Sequence, residues 1–242
     1  FSSLLLIILS TILFYNYDKT KDYDMVYVEG GTFMMGSDEG GDDDNPVHKV
    51  TVNSFYICKY EVTQKEWISI MGSNPSEFKG DNLPVERVSW NDAQDFINKL
   101  NQKTGKNYRL LTEAEWEYAA RGGNKSRGYE YAGSYNIGEV AWYFRNSNSK
   151  THEVGTKMPN ELGIYDMSGN VSEWCNDRYD KNYYRNSPSN NPKGPDSGEY
   201  SRVLRGGSWD DYSKCCRSAF RRSSIGPNNF NNHVGFRLAL DL

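Results

Sequence analysis

The chain has 242 residues, of which 37% are hydrophobic, 14% aromatic and 25% charged, with a formal net charge of −4. That length can bury a core as one large domain or two small ones, and the acidic balance excludes the basic footprint on which nucleic-acid binding leans. Four cysteines, two of them neighbours and none in a CxxC spacing, exclude a disulfide-dense scaffold and a zinc site readable from spacing.

The opening FSSLLLIILSTILF, Phe1–Phe14, is apolar and uncharged and is followed by a polar stretch. It reads as the h-region of an export signal over residues 1–16, too short for a membrane span, with a linker over 17–24. No cysteine stands near Asn16 or Tyr17 to accept a lipid. An exported chain works outside the cytoplasm, as a periplasmic, cell-surface or secreted protein, and anchoring to a membrane through the N-terminus stays open. The remainder, 25–242, is expected to be a single domain.

MVYVEGGTFMMGS, Met25–Ser37, predicts two strands joined at Gly30-Gly31. The acidic run Asp38–Pro46 lacks the ligand spacing of an EF-hand and reads as a solvated loop. Alternation through Val47–Val62 marks more sheet, with Cys58 in the core. Three helices then begin on the same chemistry, a hydroxyl that accepts an orphan backbone N–H with an acid three residues on: Thr63/Glu66, Ser89/Asp92 and Thr112/Glu115. In the second, Trp90, Ala93, Phe96, Ile97 and Leu100 make one apolar face, and Thr104-Gly105-Lys106 marks its end. The strand YRLL, Tyr108–Leu111, leads into the third helix. Beyond Arg121 the period is lost to Gly, Asn, Ser and Tyr, and the proline-bearing stretch Asn182–Tyr200 is the clearest loop. Aromatic and glycine content with few aliphatics fits an irregular α+β domain.

VEGGTFMMGS, YEVTQKEW, PVERVSWNDAQDF, YRLLTEAEWEYAARGG, NELGIYDMSGNVSEW, RVLRGGSW and VGFRLAL occur in the order found in the formylglycine-generating-enzyme, or sulfatase-modifying-factor, family. The resemblance spans nearly the whole chain after the opening segment. It implies a variant of the C-type-lectin-like fold: α+β, loop-rich, with a small twisted antiparallel sheet and a few helices.

Formylglycine generators oxidise a substrate cysteine with two copper-binding cysteines, five positions apart, shortly after the Gly-Gly-Ser turn. Aligned forward from Gly206-Gly207-Ser208, Asp211 stands where the first is expected. Aligned back from Arg217 and Arg221, Ser213 falls near the second. The catalytic pair is therefore missing, and Cys215 and Cys216 are only weak substitutes. Adjacent residues on a strand face opposite ways and cannot easily converge on one ion. One is expected as a buried small hydrophobe and the other against a loop, with a vicinal disulfide or a bond to Cys175 left open. The iron-dependent sulfoxide synthases of related branches need histidines beyond His48, His152 and His233. Arg217, Arg221 and Arg237 are expected to brace the terminal strands.

YDMSGNVSEW matches a structural calcium motif of the family, which implies Asp166 through its side chain and Met167, Gly169 and Val171 through their carbonyls, with Glu173 ordering the loop from behind. A turn closed by the Asp166 and Asn170 side chains is the plainer alternative. The family's other calcium site needs an Asn where Ala141 stands, so one calcium is expected. Trp174 and Trp209 are expected as core pillars with partnered ring N–H groups.

Three functions fit. The first is a non-catalytic binder of a protein or other extracellular ligand, through Trp209, Asp210, Asp211, Tyr212, Ser213 and Lys214 together with Asn228, Asn229, Phe230, Asn231, Asn232 and His233. These residue types suit paratope-like surfaces, and the segment resembles displayed lectin-like binders whose final loops are diversified. The second is a copper-dependent oxidoreductase acting on a substrate cysteine, and copper is expected only there. The third is a structural component of the cell envelope.

Overall fold

The computed structural model describes residues 23–39, 41, 43–197, 200–223 and 226–242. The expected export signal over 1–16 and most of the linker lie outside the described residues. No helix among the described residues is long and apolar enough to cross a membrane.

Strands β1 (Met25–Val28) and β2 (Gly31–Met35) flank the expected glycine pair but enter different sheets. β1 pairs antiparallel with β4 (Phe55–Cys58), and β2 with β3 (His48–Val52). A Cβ on Gly30 would lie 2.6 Å from the Val52 carbonyl oxygen, so only glycine lets the chain cross here.

The three capping boxes form as the sequence predicts. Helices α1 (Gln64–Met71), α2 (Trp90–Thr104) and α3 (Glu113–Ala120) start at Thr63, Ser89 and Thr112, whose backbone N–H groups in turn donate to the carboxylates of Glu66, Asp92 and Glu115. Helix α2 ends on Gly105 at φ 71° and buries Ala93, Phe96, Ile97 and Leu100. Trp67 of α1 stacks on Phe96, and Phe236 meets both edge-on. Helix α3 is buried nearly all round, which its sequence periodicity does not announce.

The YRLL strand shrinks to β5 (Tyr108–Arg109). A short helix α4 (Ile137–Val140) sits inside the expected loop region. A second core sheet orders β8 (Arg221–Ser223), β7 (Arg202–Arg205), β6 (Ser172–Arg178) and β9 (Val234–Gly235). The expected α+β, loop-rich architecture is present, with its strands distributed over three small sheets and with β6 and β9 running parallel. β10 (Ala239–Leu240) slots between β4 and β5. The terminal VGFRLAL thus runs from one four-stranded sheet to the other, with Phe236, Arg237 and Leu238 fully buried.

Arginines brace this end of the fold, as expected. Arg237 grips Glu173 through Nε and Nη2, both at 2.7 Å. Arg221 holds Glu113, and Arg205 joins Glu113 to Glu117. The acidic loop is not wholly solvated: Asp44 is buried against Arg217, and Asp43 accepts the Tyr179 hydroxyl.

Candidate functional site

After β7 the chain reverses through Gly206 and Gly207, at φ 90° and 69°. A Cβ on Gly207 would stand 2.7 Å from the Cys215 carbonyl and 2.8 Å from Cys216 Sγ, so the glycine lets the following segment fold back onto the turn. That segment is a 3-10 turn, Ser213–Cys216, not a strand. Both cysteines are consequently buried, packed against the Gly-Gly turn. None of the four cysteines is disulfide-bonded. Burial pushes both thiols up, with the Asp211 carboxylate adding to the effect. A reactive thiol needs the opposite environment.

Asp211 is locked. Its carboxylate accepts from both terminal nitrogens of Arg222 and from Ser208 Oγ at 2.7 Å. Ser213 bonds Tyr131. Counting five residues on from Asp211 reaches Cys216, which lies beside that carboxylate, its thiol directed at the Tyr212 carbonyl at 3.9 Å. The Cys216 thiol and the ion-paired Asp211 carboxylate thus lie side by side against the Gly-Gly turn.

The predicted ligand-binding residues divide into frame and surface. Trp209 is buried: it packs edge-on to Phe78, donates from Nε1 to the Asn232 carbonyl at 3.0 Å and accepts Ser147 Oγ on its own carbonyl. It therefore ties the two predicted segments together from beneath. Above it Asp210, Tyr212, Lys214, Asn228, Asn229, Phe230 and Asn231 are exposed, with Asn232 and His233 half-buried. Burial holds His233 below its ordinary value, and Asp210 and Asp211 face it. Tyr212 and Phe230 are 57% and 56% exposed.

Two further residues join this face that the sequence did not signal. Phe144 is half exposed, its ring 4.9 Å from that of Tyr212, and its backbone N–H binds the Asp211 carbonyl. Arg87 is left-handed at φ 58°, donates its N–H to the Asn231 carbonyl and lays its guanidinium 5.8 Å from the Phe230 ring. Neither shows a sequence pattern, because each reaches the face through long-range packing.

The expected calcium loop is tightly bound by its neighbours. Asp166, left-handed at φ 59° and buried, accepts Gly155 N–H at 2.7 Å. Asn170 accepts His152 N–H and donates to Glu61 and the His152 carbonyl, so these side chains tie the loop to distant segments instead of closing its own turn. A Cβ on Gly169 would lie 2.3 Å from the Trp142 carbonyl oxygen. Glu61, Asp166 and Glu173 are three buried carboxylates facing one buried guanidinium, Arg237. Burial raises the Asp166 carboxyl to about 6. Trp174 and Trp209 have the expected ring N–H partners, Trp174 donating to the Val88 carbonyl. Among the described residues no three His, Cys, Asp or Glu side chains converge as a metal site, so a cation here would depend on backbone carbonyls.

A loop-rich α+β domain with a Gly-Gly turn, a buried Glu173–Arg237 brace and a terminal strand shared between sheets is of the formylglycine-generating-enzyme, C-type-lectin-like class. The family model FGE-sulfatase, described as Sulfatase-modifying factor enzyme 1-like domain, matches residues 13–242, and the chain belongs to that family. It is 39% identical to the chaperone protein LppX of Paenibacillus barcinonensis, over 78% of this chain and 80% of that one. With the formylglycine-generating enzyme of Streptomyces coelicolor it shares 32% identity over 89% and 88% of the two chains. The serine/threonine-protein kinase pkn1 of Chlamydia pneumoniae matches at 32% over 90% of this chain, which spans 38% of that protein's length. Among solved structures, Treponema denticola variable protein 1 superposes with a TM-score of 0.83 at 33% identity, covering 90% of this chain and 95% of that one.

Proposed function

We propose that the chain is an exported, non-catalytic binding protein that takes a protein or other extracellular ligand on the surface formed by its C-terminal loops. The observation that carries this reading is the Asp211–Arg222 ion pair, which fills the turn beneath a set of exposed aromatic and amide side chains. Tyr212, Phe230 and Phe144 offer rigid ring area, and Asn228, Asn229, Asn231 and Asp210 offer adaptable hydrogen bonds. Trp209 and Arg87 fix the loops from below, so little entropy is lost when they meet a partner. The variable protein of Treponema and the chaperone LppX, both alike over most of their length, are named for properties other than cysteine oxidation, which agrees with this reading.

The enzymatic reading draws on the likeness to the Streptomyces enzyme and on Cys216, five residues beyond Asp211. A copper(I) ion held by two thiolates would need the second sulfur that Asp211 does not supply.

One structural calcium belongs with the binding reading. Asp166 would hold it by its carboxylate and Met167, Gly169 and Val171 by their carbonyls. The excess of buried carboxylates over guanidinium around the loop suits a bound cation, and a hard cation suits an all-oxygen set. Its part would be to stiffen the loop from whose Asn170 carbonyl the Trp209 backbone hangs.

The test is capture of extracellular protein by the immobilised chain, compared with Tyr212→Ala and Phe230→Ala. Specific capture lost in both variants, with melting unchanged, supports the proposal. Capture that is indifferent to both substitutions contradicts it.

A further inference from the structure

Cys58 closes strand β4, and the site it forms is independent of the proposed binding function. It pairs in register with Met25 across the β1/β4 ladder, so the two side chains stand on one face. Their sulfurs are 3.2 Å apart, thiol against thioether. They line a groove of about 810 Å³ between β1 and helices α1 and α2, whose walls include Tyr23, Asp24 and Glu66. Met25 is half-buried and lies on an edge strand, whereas Cys58 is only 4% exposed.

From this geometry we propose that Cys58 and Met25 form a soft-metal site that binds copper(I). A thiolate and a thioether are the donor types that select copper(I) over harder ions. Binding replaces the thiol proton with the metal: the S–H bond breaks, an S–Cu bond forms, one proton leaves to solvent, and copper stays in the +1 state. The ion then needs only the thioether to complete a two-sulfur set, with Glu66 and Tyr23 near enough to face the site. Two sulfurs on one copper stand farther apart than 3.2 Å, so Met25 must swing outward. Its unbranched side chain with three rotatable bonds, on an edge strand facing an open groove, permits this.

Charge around the thiol is mixed: Glu66 and, more weakly, Asp24 act against Arg237, which bonds the Cys58 carbonyl at 3.2 Å, and Lys65 and Lys103 line the same groove, so the case for the site rests on its two sulfurs. Burial holds the proton on the thiol until a metal displaces it. At the other cysteine cluster the thiols are adjacent in one 3-10 turn and closed over by Gly207, and the nearest cation, Arg222, is already paired with Asp211. Copper bound by this chain therefore need not mark the position of the family's catalytic pair.

The experiment is an anaerobic titration of the reduced protein with copper(I) in competition with a chromogenic chelator. It is run on the wild type, Met25→Leu, Cys58→Ser and the double variant Cys215→Ser/Cys216→Ser. The proposal expects one equivalent in the wild type, kept in the double variant, and weakened at least tenfold in Met25→Leu and Cys58→Ser. X-ray absorption of the wild-type complex should show sulfur scatterers. Met25→Leu conserves volume and so reads the loss of the thioether even where Cys58→Ser disturbs the core. Wild-type protein that binds no copper, Met25→Leu that binds like wild type, or an equivalent that disappears with Cys215 and Cys216 would each overturn the assignment.

Discussion

Asp211 and Arg222 form a two-pronged ion pair just beyond the Gly-Gly turn, at the residue that the sequence resemblance aligns with the family's first copper-binding cysteine. The pair joins the Gly-Gly turn to β8, so it braces the ligand face rather than offering an open coordination site. Asp211→Ala leaves a partly buried guanidinium without its acceptor, at a cost of roughly 1–3 kcal/mol. Thermal unfolding should register that loss. An unchanged Tm would mean that the pair does not brace the loop.

The interior network is a second brace. Arg205 is fully buried between Glu113 and Glu117 and also donates to the Ser218 and Ala219 carbonyls. Arg205→Met removes the guanidinium that joins two buried carboxylates, leaving Glu113 to Arg221 and Glu117 to Arg121 and the Gly36 N–H, and is expected to destabilise by about 1–3 kcal/mol. Denaturant titration measures this directly, and an unchanged stability would show that these remaining partners suffice.

Glu86 gives the stability a pH dependence. It is fully buried, with Oε1 accepting Phe78 N–H at 2.9 Å and Oε2 unpartnered. Burial raises its pKa from 4.5 to about 7. The folded state thus binds this proton more tightly than the unfolded chain. The associated stability is complete below the unfolded value and is lost as pH rises through the folded one. Glu86→Gln should raise stability at pH 8 by about 1–2 kcal/mol, a Tm increase of several degrees, and have little effect at pH 4. Equal Tm differences at the two pH values would rule this titration out.

Calcium dependence follows from the Asp166 loop. If the loop holds the ion, a chelator lowers Tm and millimolar calcium restores it, through preferential binding to the folded state. Asp166→Ala should abolish the difference between the two conditions. A wild-type Tm that ignores both chelator and calcium would leave the loop held only by its hydrogen bonds to Glu61, His152 and Gly155.

Much of the frame was legible because its signals are local. A hydroxyl with an acid three residues later predicts all three helix starts, and both partners of each bond lie in one turn. The arginine braces were legible as a type of residue, but not by partner, since Arg217 meets Asp44 and Arg237 meets Glu173 across long stretches of chain. What could not be read was non-local. Nothing near Gly30 tells that β1 and β2 part into different sheets, and nothing near Cys215 tells that Gly207 makes room for a 3-10 turn. The candidate face was named largely from its own sequence. Its frame was not: Trp209 proved to be a buried tie, while Arg87 and Phe144 arrive from distant loops.

The central claim is that this member of the family binds without oxidising. The direct test supplies the reduced, copper-loaded protein with oxygen and a cysteine-containing peptide and measures aldehyde formed on the peptide. No aldehyde above the copper-only control is predicted. Catalytic aldehyde formation that disappears in Cys216→Ser would contradict the account and make Cys216 an active thiol.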